Sequence, residues 1–241
     1  MSRTAYYNGI SFESLGLIIR KTVVPGSSVE KRKTISIPDG PVLFENTKVR
    51  EPVTFPVECT VVEPGKIRDI YAMCQEEGTL ILPDEPDKYY YGMLTVSTPK
   101  NIILYYNNIT FTMTAEPYAY ELDNPEIVCI LEDEDDHKKT TINNFGTAEC
   151  EPKYKITAAA AGIVEMWIDV GSLTRSFKIN AEANEIIYID VAHLTAKNSN
   201  GRNIMDKVIK SFEDMTIPSG RYTIRIRNAK ELAITFNVRW C

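Results

Sequence analysis

His137 and His193 are the only imidazoles in this chain. Any Ser/His/Asp or Cys/His nucleophilic triad must use one of them. His137 follows a run of five carboxylates, and His193 sits at a strand end in Val191-Ala192-His193-Leu194, a structural or surface setting. The sequence holds no GxSxG, HExxH, Walker A or GxGxxG pattern. A carboxylate pair for glycoside hydrolysis is set by the fold rather than by spacing, and nothing marks one out. The reading is therefore non-enzymatic, with no catalytic residue and no cofactor.

Two other clusters invite chemistry. Glu132 to Asp136 could suggest a calcium loop. The alternating ligand spacing of such a loop is absent, and so is the glycine at its sharp turn. The expectation is a solvated loop and no metal. Lys31, Arg32 and Lys33 form a short basic run behind Glu30. That reads as a solvated face rather than a phosphate contact. The five cysteines, Cys59, Cys74, Cys129, Cys150 and Cys241, form no CxxC pair. Scattered and odd in number, they are expected to be reduced thiols, with Cys59 and Cys74 in the core.

Aromatic residues offer contact chemistry instead. A β-sandwich can stack a sugar on an exposed ring flanked by polar groups. Trp167, mid-strand in IVEMWIDV, and Trp240, ending an alternating strand, fit core positions better than platforms. Tyr89, Tyr90 and Tyr91 are different. In a strand Tyr90 faces opposite to its two neighbours, so one face enters the core and the other presents phenol outward. Interfaces are rich in tyrosine for this reason, which favours protein–protein contact.

The elements that position these residues are mostly β. Ile67, Ile70, Tyr71 and Cys74 recur at one helical face. With Pro64 at its start and Gly78 as a left-handed stop, they predict a helix over about 66–77. Strands follow at Thr79–Leu82 and Tyr89–Val96, joined by a turn over Pro83–Lys88. Asn8-Gly9 predicts a tight turn. Val53 to Val61 alternates, and Pro56 makes it an edge strand or a bulged one. Ile102–Tyr106 and Ile109–Ala115 predict a hairpin, and Glu116–Pro125 a linker. Residues 25–52 are polar with brief apolar patches, the pattern of an extended hairpin or arm. The second half shows short strands at Ile163–Val170, Leu173–Ile179, Ile186–Val191, Tyr222–Ile226 and Leu232–Trp240. That spacing predicts a sandwich or jelly roll. Asn203 to Phe212 is open between a short helix and an irregular strand.

Composition adds exclusions. The 241 residues carry a net charge of −6, with 44% hydrophobic and 25% charged residues. That is a poor charge for sequence-specific nucleic-acid binding. No stretch approaches the ~20 apolar residues of a membrane span, so no membrane insertion is expected. The N-terminus lacks the apolar core of a secretion signal.

Four pieces then resemble one family, the distal tail proteins of long-tailed bacteriophages. They are YYNGISFESLGLIIRKTVVPG, GKIRDIYAMCQEEGTLILPDEPDKYYYGML, the Asn-x-Gly-Thr-x-x-x-x-Pro pattern in TTINNFGTAECEPKYKI, and a final strand ending in Arg239-Trp240. The likeness spans nearly the whole chain, with residues 191–220 outside it. The resemblance implies a mainly β protein. Residues 1–120 would be a β-sandwich or split-barrel domain with one helix and an arm over about 25–52. Residues 121–241 would be a galectin-like β-sandwich. It implies a hexameric ring at the virion tail tip, made and assembled in the bacterial cytoplasm. The partners would be the major tail tube protein, the tail-associated tip protein and receptor-binding or baseplate proteins, with a weak carbohydrate contact as a further one. Ring contacts are expected at Tyr89, Tyr90, Tyr91, Ile35, Ile37 and Phe44. The competing reading is a carbohydrate-binding module that grips host cell-wall polysaccharide through the second domain.

Overall fold

The computed structural model describes residues 4–26, 28–36, 42–99, 101, 103 and 106–241. The chain is mainly β, and it divides into two compact units, the first reaching Leu122 and the second spanning Asp123–Trp240.

Unit 1 holds β1 (Tyr6–Tyr7), β2 (Ile10–Ser11), β3 (Leu17–Thr22), β4 (Glu30–Ser36), β5 (Val42–Arg50), β6 (Val53–Val61), α1 (Ile67–Met73), β7 (Gly78–Leu82), β8 (Glu85–Val96) and β9 (Asn108–Glu121). Seven of these strands form one sheet in the order β2-β1-β7-β8-β9-β6-β3, and β4 pairs with β5. Asn8 and Gly9 both have positive φ (50° and 78°), the geometry of a two-residue turn that matches strand twist. In β6 the alternation places Phe55, Val57, Cys59 and Val61 in the core. The strand is inner rather than edge, lying between β9 and β3. Its Pro56 is tolerated because β3 ends opposite Val57, so β6 is a local edge there. The bulge falls on the partner, between Ile19 and Lys21 of β3.

The helix is shorter than its pattern suggests. A 3-10 turn at Pro64–Lys66 leads into α1, which buries Ile67, Ile70 and Met73, while Tyr71 is half-buried. Gly78 is no left-handed cap; it opens β7. It is needed for space, because a Cβ there would lie 1.8 Å from Asn8 Oδ1. That oxygen accepts the Thr79 N–H at 3.0 Å, which ties the first turn to β7. Tyr7, fully buried, is the second tie. Its hydroxyl donates to the Glu76 carbonyl at 2.6 Å and accepts the Leu94 N–H at 3.3 Å. One oxygen thus joins β1, the end of the helical segment and β8.

Two expectations around β9 are corrected. Asn101, Ile103 and Tyr106 are helical, not strand. Ile103 N–H donates to Pro99 O and Asn107 N–H to Ile103 O, and the positive φ of Asn107 (53°) ends the turn. Glu116–Glu121, expected as linker, continues β9 and pairs with β8 through Tyr89↔Tyr120 and Lys88↔Glu121. The register jumps from Tyr90↔Ala119 to Gly92↔Ala115. This bulge takes up Pro117, which an unbroken ladder would not accept.

Unit 2 is the galectin-like β-sandwich. Its strands are β10 (Glu126–Val128), β11 (Glu132–Glu134), β12 (His137–Asn144), β13 (Lys153–Ala158), β14 (Gly162–Val170), β15 (Leu173–Ala181), β16 (Ile186–Asp190), β17 (Thr195–Asn198), β18 (Val208–Lys210), β19 (Gly220–Arg227), β20 (Ala229–Thr235) and β21 (Arg239–Trp240). A five-stranded sheet runs β10-β20-β13-β16-β17, and a six-stranded sheet runs β11-β12-β19-β14-β15-β18. Between them lie Tyr154, Ile156, Val164, Met166, Phe177, Ile224 and Leu232. Each aliphatic side chain buried this way contributes about 1.5–3 kcal/mol before chain entropy is counted. The acidic run is solvent-exposed as expected, but as a hairpin rather than a loop, with β11 on β12 and positive φ at Asp135. Residues 203–212 contain a 3-10 turn at Met205–Lys207 and the short β18. The final alternating stretch is broken between β20 and β21.

The Asn-x-Gly-Thr pattern has a structural cause. Asn144 is buried, and its amide donates to the carbonyls of Ala148 and Ile217, both at 3.0 Å. Its oxygen accepts Gly146 N–H at 3.0 Å, and a Cβ at Gly146 would lie 2.4 Å from Arg239 O.

Candidate functional site

Alternation along β8 sorts the three tyrosines. Tyr90 enters the core, edge-on to Phe55 at 5.2 Å, and its hydroxyl donates to Glu85 Oε2 at 2.5 Å. Burial, followed by the nearby Glu85 carboxylate, pushes its ionisation well above the usual phenol range. Tyr89 lies on the other face, stacked on Tyr120 at 5.4 Å and 19°. Tyr118 meets Tyr120 edge-on at 6.4 Å, and the Tyr120 hydroxyl is bonded to the Glu116 carboxylate. Tyr91 is exposed, and on neighbouring strands Tyr6, itself exposed, pairs with Ile81. On this face Tyr89 and Tyr118 are braced by the buried Tyr120, so they lose little rotamer entropy on contact, and Tyr91 and Tyr6 stand exposed beside them.

Of the other expected contact residues, Ile35 and Phe44 fall at neighbouring register positions of the β4–β5 ribbon, opposite Leu43 and Thr34. Ile37 lies outside the described residues. The ribbon is anchored at its base. Arg50 donates to Ser28 O at 2.7 Å and stands 3.8 Å from Glu30, while Glu51 N–H donates to Val29 O. Among the described residues it pairs with no other strand.

Unit 2 carries two polar–aromatic surfaces that spacing alone did not reveal. Trp167, expected in the core, is half-buried on the outer face of the six-stranded sheet. Arg227 and Arg225 lie over its ring at 5.5 and 6.0 Å, and His137 stands edge-on at 6.4 Å. The charges are compensated: Arg225 pairs with Asp169 at 2.7 Å, and Arg227 pairs with Asp136. Hydrogen bonds from His137 and Arg227 hold the Asp136 carboxyl below the usual carboxylate range. These partners come from β12, β14 and β19, distant in sequence, and only the register brings them together. Trp240 is also half-buried.

The second surface is a groove of about 280 Å³ across the five-stranded sheet. Exposed Tyr188 lines it, with Lys153, Lys155, Lys197, Asp190 and Glu126. Lys155 pairs with Glu126 at 2.9 Å and Lys153 with Asp190 at 3.1 Å. His193 also rests on Asp190, Nδ1 to Oδ2 at 3.0 Å.

Four of the thiols are not poised for reaction. Burial pushes Cys59 and Cys150 up to about 12, and Cys74 and Cys129 up to about 11.

No protein-family profile matches the sequence, and no curated protein does. Among solved structures the chain is similar to the Dit protein of phage SPP1. That crystal structure is described as a paradigm of the hub adsorption apparatus in phages that infect Gram-positive bacteria. Identity is 15%, the alignment covers 99% of each chain, and the TM-score is 0.73. The likeness in fold thus takes in both units.

Proposed function

We propose that this chain is a structural, non-enzymatic component of a phage tail tip, a distal tail hub. The observation that carries the reading is the full-length likeness to the SPP1 hub protein, which includes both units in the same order. The sequence resemblance points the same way. In this reading six copies close a ring that joins the tail tube to the tip protein and to receptor-binding proteins. A tube end is polar, so its ring needs head-to-tail contacts and cyclic symmetry. Such contacts draw on two surfaces of unit 1: the aromatic face with Tyr89 and Tyr91, and the β4–β5 ribbon.

Negative-stain imaging of the concentrated protein and of assembled tails tests this. Sixfold rings at the tail tip are expected, and a tail tip without this chain refutes the proposal. The surface assignment has its own test. A Tyr89→Asp/Tyr91→Asp pair leaves the fold and removes the ring; intact rings would overturn it. Tyr90→Asp is no test of contact, because Tyr90 is a core residue.

One observation favours the carbohydrate reading, the groove at Tyr188 with its amines and carboxylates. Saturable binding of a host wall polysaccharide that Tyr188→Ala abolishes would support it. An unchanged affinity would exclude that groove.

A further inference from the structure

The register of the five-stranded sheet brings two lysines to one tyrosine. Lys155 of β13 stands opposite Tyr188 of β16, and Tyr188 stands opposite Lys197 of β17. Opposite residues of antiparallel strands hold their Cβ atoms about 4.5–5.5 Å apart. The ring of Tyr188, 42% exposed, is thus bracketed in one row by two ammonium-bearing side chains. The neighbouring row carries Glu126, Lys153 and Asp190. All six side chains line the groove of about 280 Å³.

Charge says what this face lacks. Three amines meet two carboxylates. Asp190 is already engaged by Lys153 at 3.1 Å, by His193 Nδ1 at 3.0 Å and by the His193 N–H at 3.2 Å. Glu126 answers Lys155 at 2.9 Å, between exposed groups whose pairing is worth little. Lys197 is exposed and stands in no ion pair among the described residues. In a chain of net charge −6, the groove therefore keeps an unanswered cation beside an open ring.

An aromatic ring takes the C–H face of a sugar whether the sugar is neutral or charged. The ammonium groups discriminate. A hydroxyl leaves their charge unanswered, whereas an anionic oxygen forms the shorter and stronger charge-assisted bond. Lys155 can exchange Glu126 for the same anion at little cost.

We propose that the Tyr188 groove binds a saccharide with an anionic substituent, its C–H face on Tyr188 and its carboxylate or phosphodiester on Lys197 and Lys155. The proposal rests on the carbohydrate reading of the groove and adds the ligand class. A uronate and a sugar phosphodiester present the same anionic oxygens, and the test separates them.

Calorimetric titration of the full chain uses trigalacturonate, its neutral methyl ester, and methyl glucoside 6-(methyl phosphate), with inorganic phosphate as the control anion. The tighter acidic probe identifies the substituent. It should saturate at least about tenfold tighter than the ester and the phosphate, and weaken with added salt. Lys197→Gln should cost that probe about tenfold and leave the ester where it was. Tyr188→Ala should abolish binding of both. Glu126→Gln frees Lys155 and should tighten the acidic probe, a gain that no folding defect produces. Glu213→Gln, the same charge change at an exposed residue outside the groove, should not. Equal affinity for acid and ester, or indifference to Lys197→Gln, overturns the anionic class and leaves a carbohydrate groove standing. Phosphate binding as tight as the acidic probes would mark an anion site without a sugar, and also overturns it. So does the absence of saturation by both acidic probes at millimolar concentration, while loss of a neutral wall polysaccharide on Tyr188→Ala would still support the carbohydrate reading. Glu126→Gln without a gain removes Lys155 from the site.

Discussion

Tyr7→Phe removes one oxygen from the best-tied point of unit 1. The ring stays, so packing is conserved and the loss is confined to hydrogen bonds. The Glu76 carbonyl loses a 2.6 Å donor, and the N–H of fully buried Leu94 loses its 3.3 Å acceptor. A buried donor left unpaired costs about 1–3 kcal/mol, so about 2 kcal/mol is a fair expectation for the variant. At 1.4 kcal/mol per tenfold, that raises the open population of unit 1 by roughly 30-fold. Both tryptophans lie in unit 2, so tryptophan fluorescence does not follow unit 1. Thiol labelling does. Cys59 and Cys74 are buried in unit 1, with ionisation pushed up to about 12 and about 11, so they react only on opening. When closing outruns labelling, the rate tracks the open fraction. Cys150, buried in unit 2, is the internal control. Mass spectrometry should show Cys59 and Cys74 labelling faster by roughly 30-fold with Cys150 unchanged. A rise below about threefold at both thiols would refute the assigned role of the hydroxyl, given the ~1 kcal/mol floor for an orphaned donor. An equal rise at Cys150 would refute independent opening of the two units.

Three further outcomes are expected. Gly92→Ala places a Cβ 2.2 Å from Thr114 O and 2.7 Å from Ala115 Cα, both backbone, so β8 and β9 must separate; a loss above about 3 kcal/mol should expose Cys59 in soluble protein, and native-like protection would contradict it. Asn144→Leu removes three buried hydrogen bonds from the loop that follows β12; a drop of about 3 kcal/mol in the denaturant stability seen by tryptophan fluorescence is expected, and a change under about 1 kcal/mol would contradict it. At Asp190, burial pushes the carboxyl up, but His193 and Lys153 outweigh it and hold it below the usual range. Its contribution is therefore complete above the unfolded value of about 4 and is lost as pH falls through the lower folded value. Asp190→Asn should flatten the acid limb of unit 2 stability below roughly pH 4, and an unchanged limb would exclude that role.

What could be read in the sequence was whatever a period or a turn dipeptide encodes locally. Asn8-Gly9 needs only its own φ values, and Val53–Val61 shows its buried face by alternation. The α1 face was visible in Ile67 and Ile70. The misreadings share one cause, that the deciding neighbour is remote in sequence. Ile102–Tyr106 is apolar enough for a strand, but Ile103 bonds to Pro99 and Asn107 to Ile103 in helical turns. Glu116–Glu121 looks like a linker because Pro117 interrupts it, and the bulge opposite Tyr91 that admits the proline is invisible without β8. Gly78 reads as a helix stop, yet the atom it must avoid belongs to Asn8. Trp167 sits in an apolar run, yet Val164, Met166 and Ile168 take the core face, and the Arg225, Arg227 and His137 that cover the ring on the outer face come from other strands. The tyrosine face was legible because strand alternation alone divides Tyr90 from Tyr89 and Tyr91.

The polar groups of this chain are largely spent on its own structure. Tyr7, Tyr154 and Asn144 bond to backbone, and the acidic hairpin is answered by Lys138, Lys139 and Arg227. What remains outward is contact surface: stacked tyrosines, the groove at Tyr188 and a two-stranded ribbon. The ribbon makes the sharpest demand. Two strands alone are marginally stable in water, since one ladder does not offset the entropy of ordering both. Anchoring by Arg50 and Ser28 fixes only its base. A surface that pairs with it or packs on it would supply the missing free energy, and in a closed ring the next copy brings that surface to every ribbon at once. Assembly and ordering of the ribbon should then be one transition. Hydrogen exchange at residues 30–36 and 42–50 should slow by at least about tenfold on ring formation, and equal exchange in free and assembled protein would remove the ribbon from the ring contact.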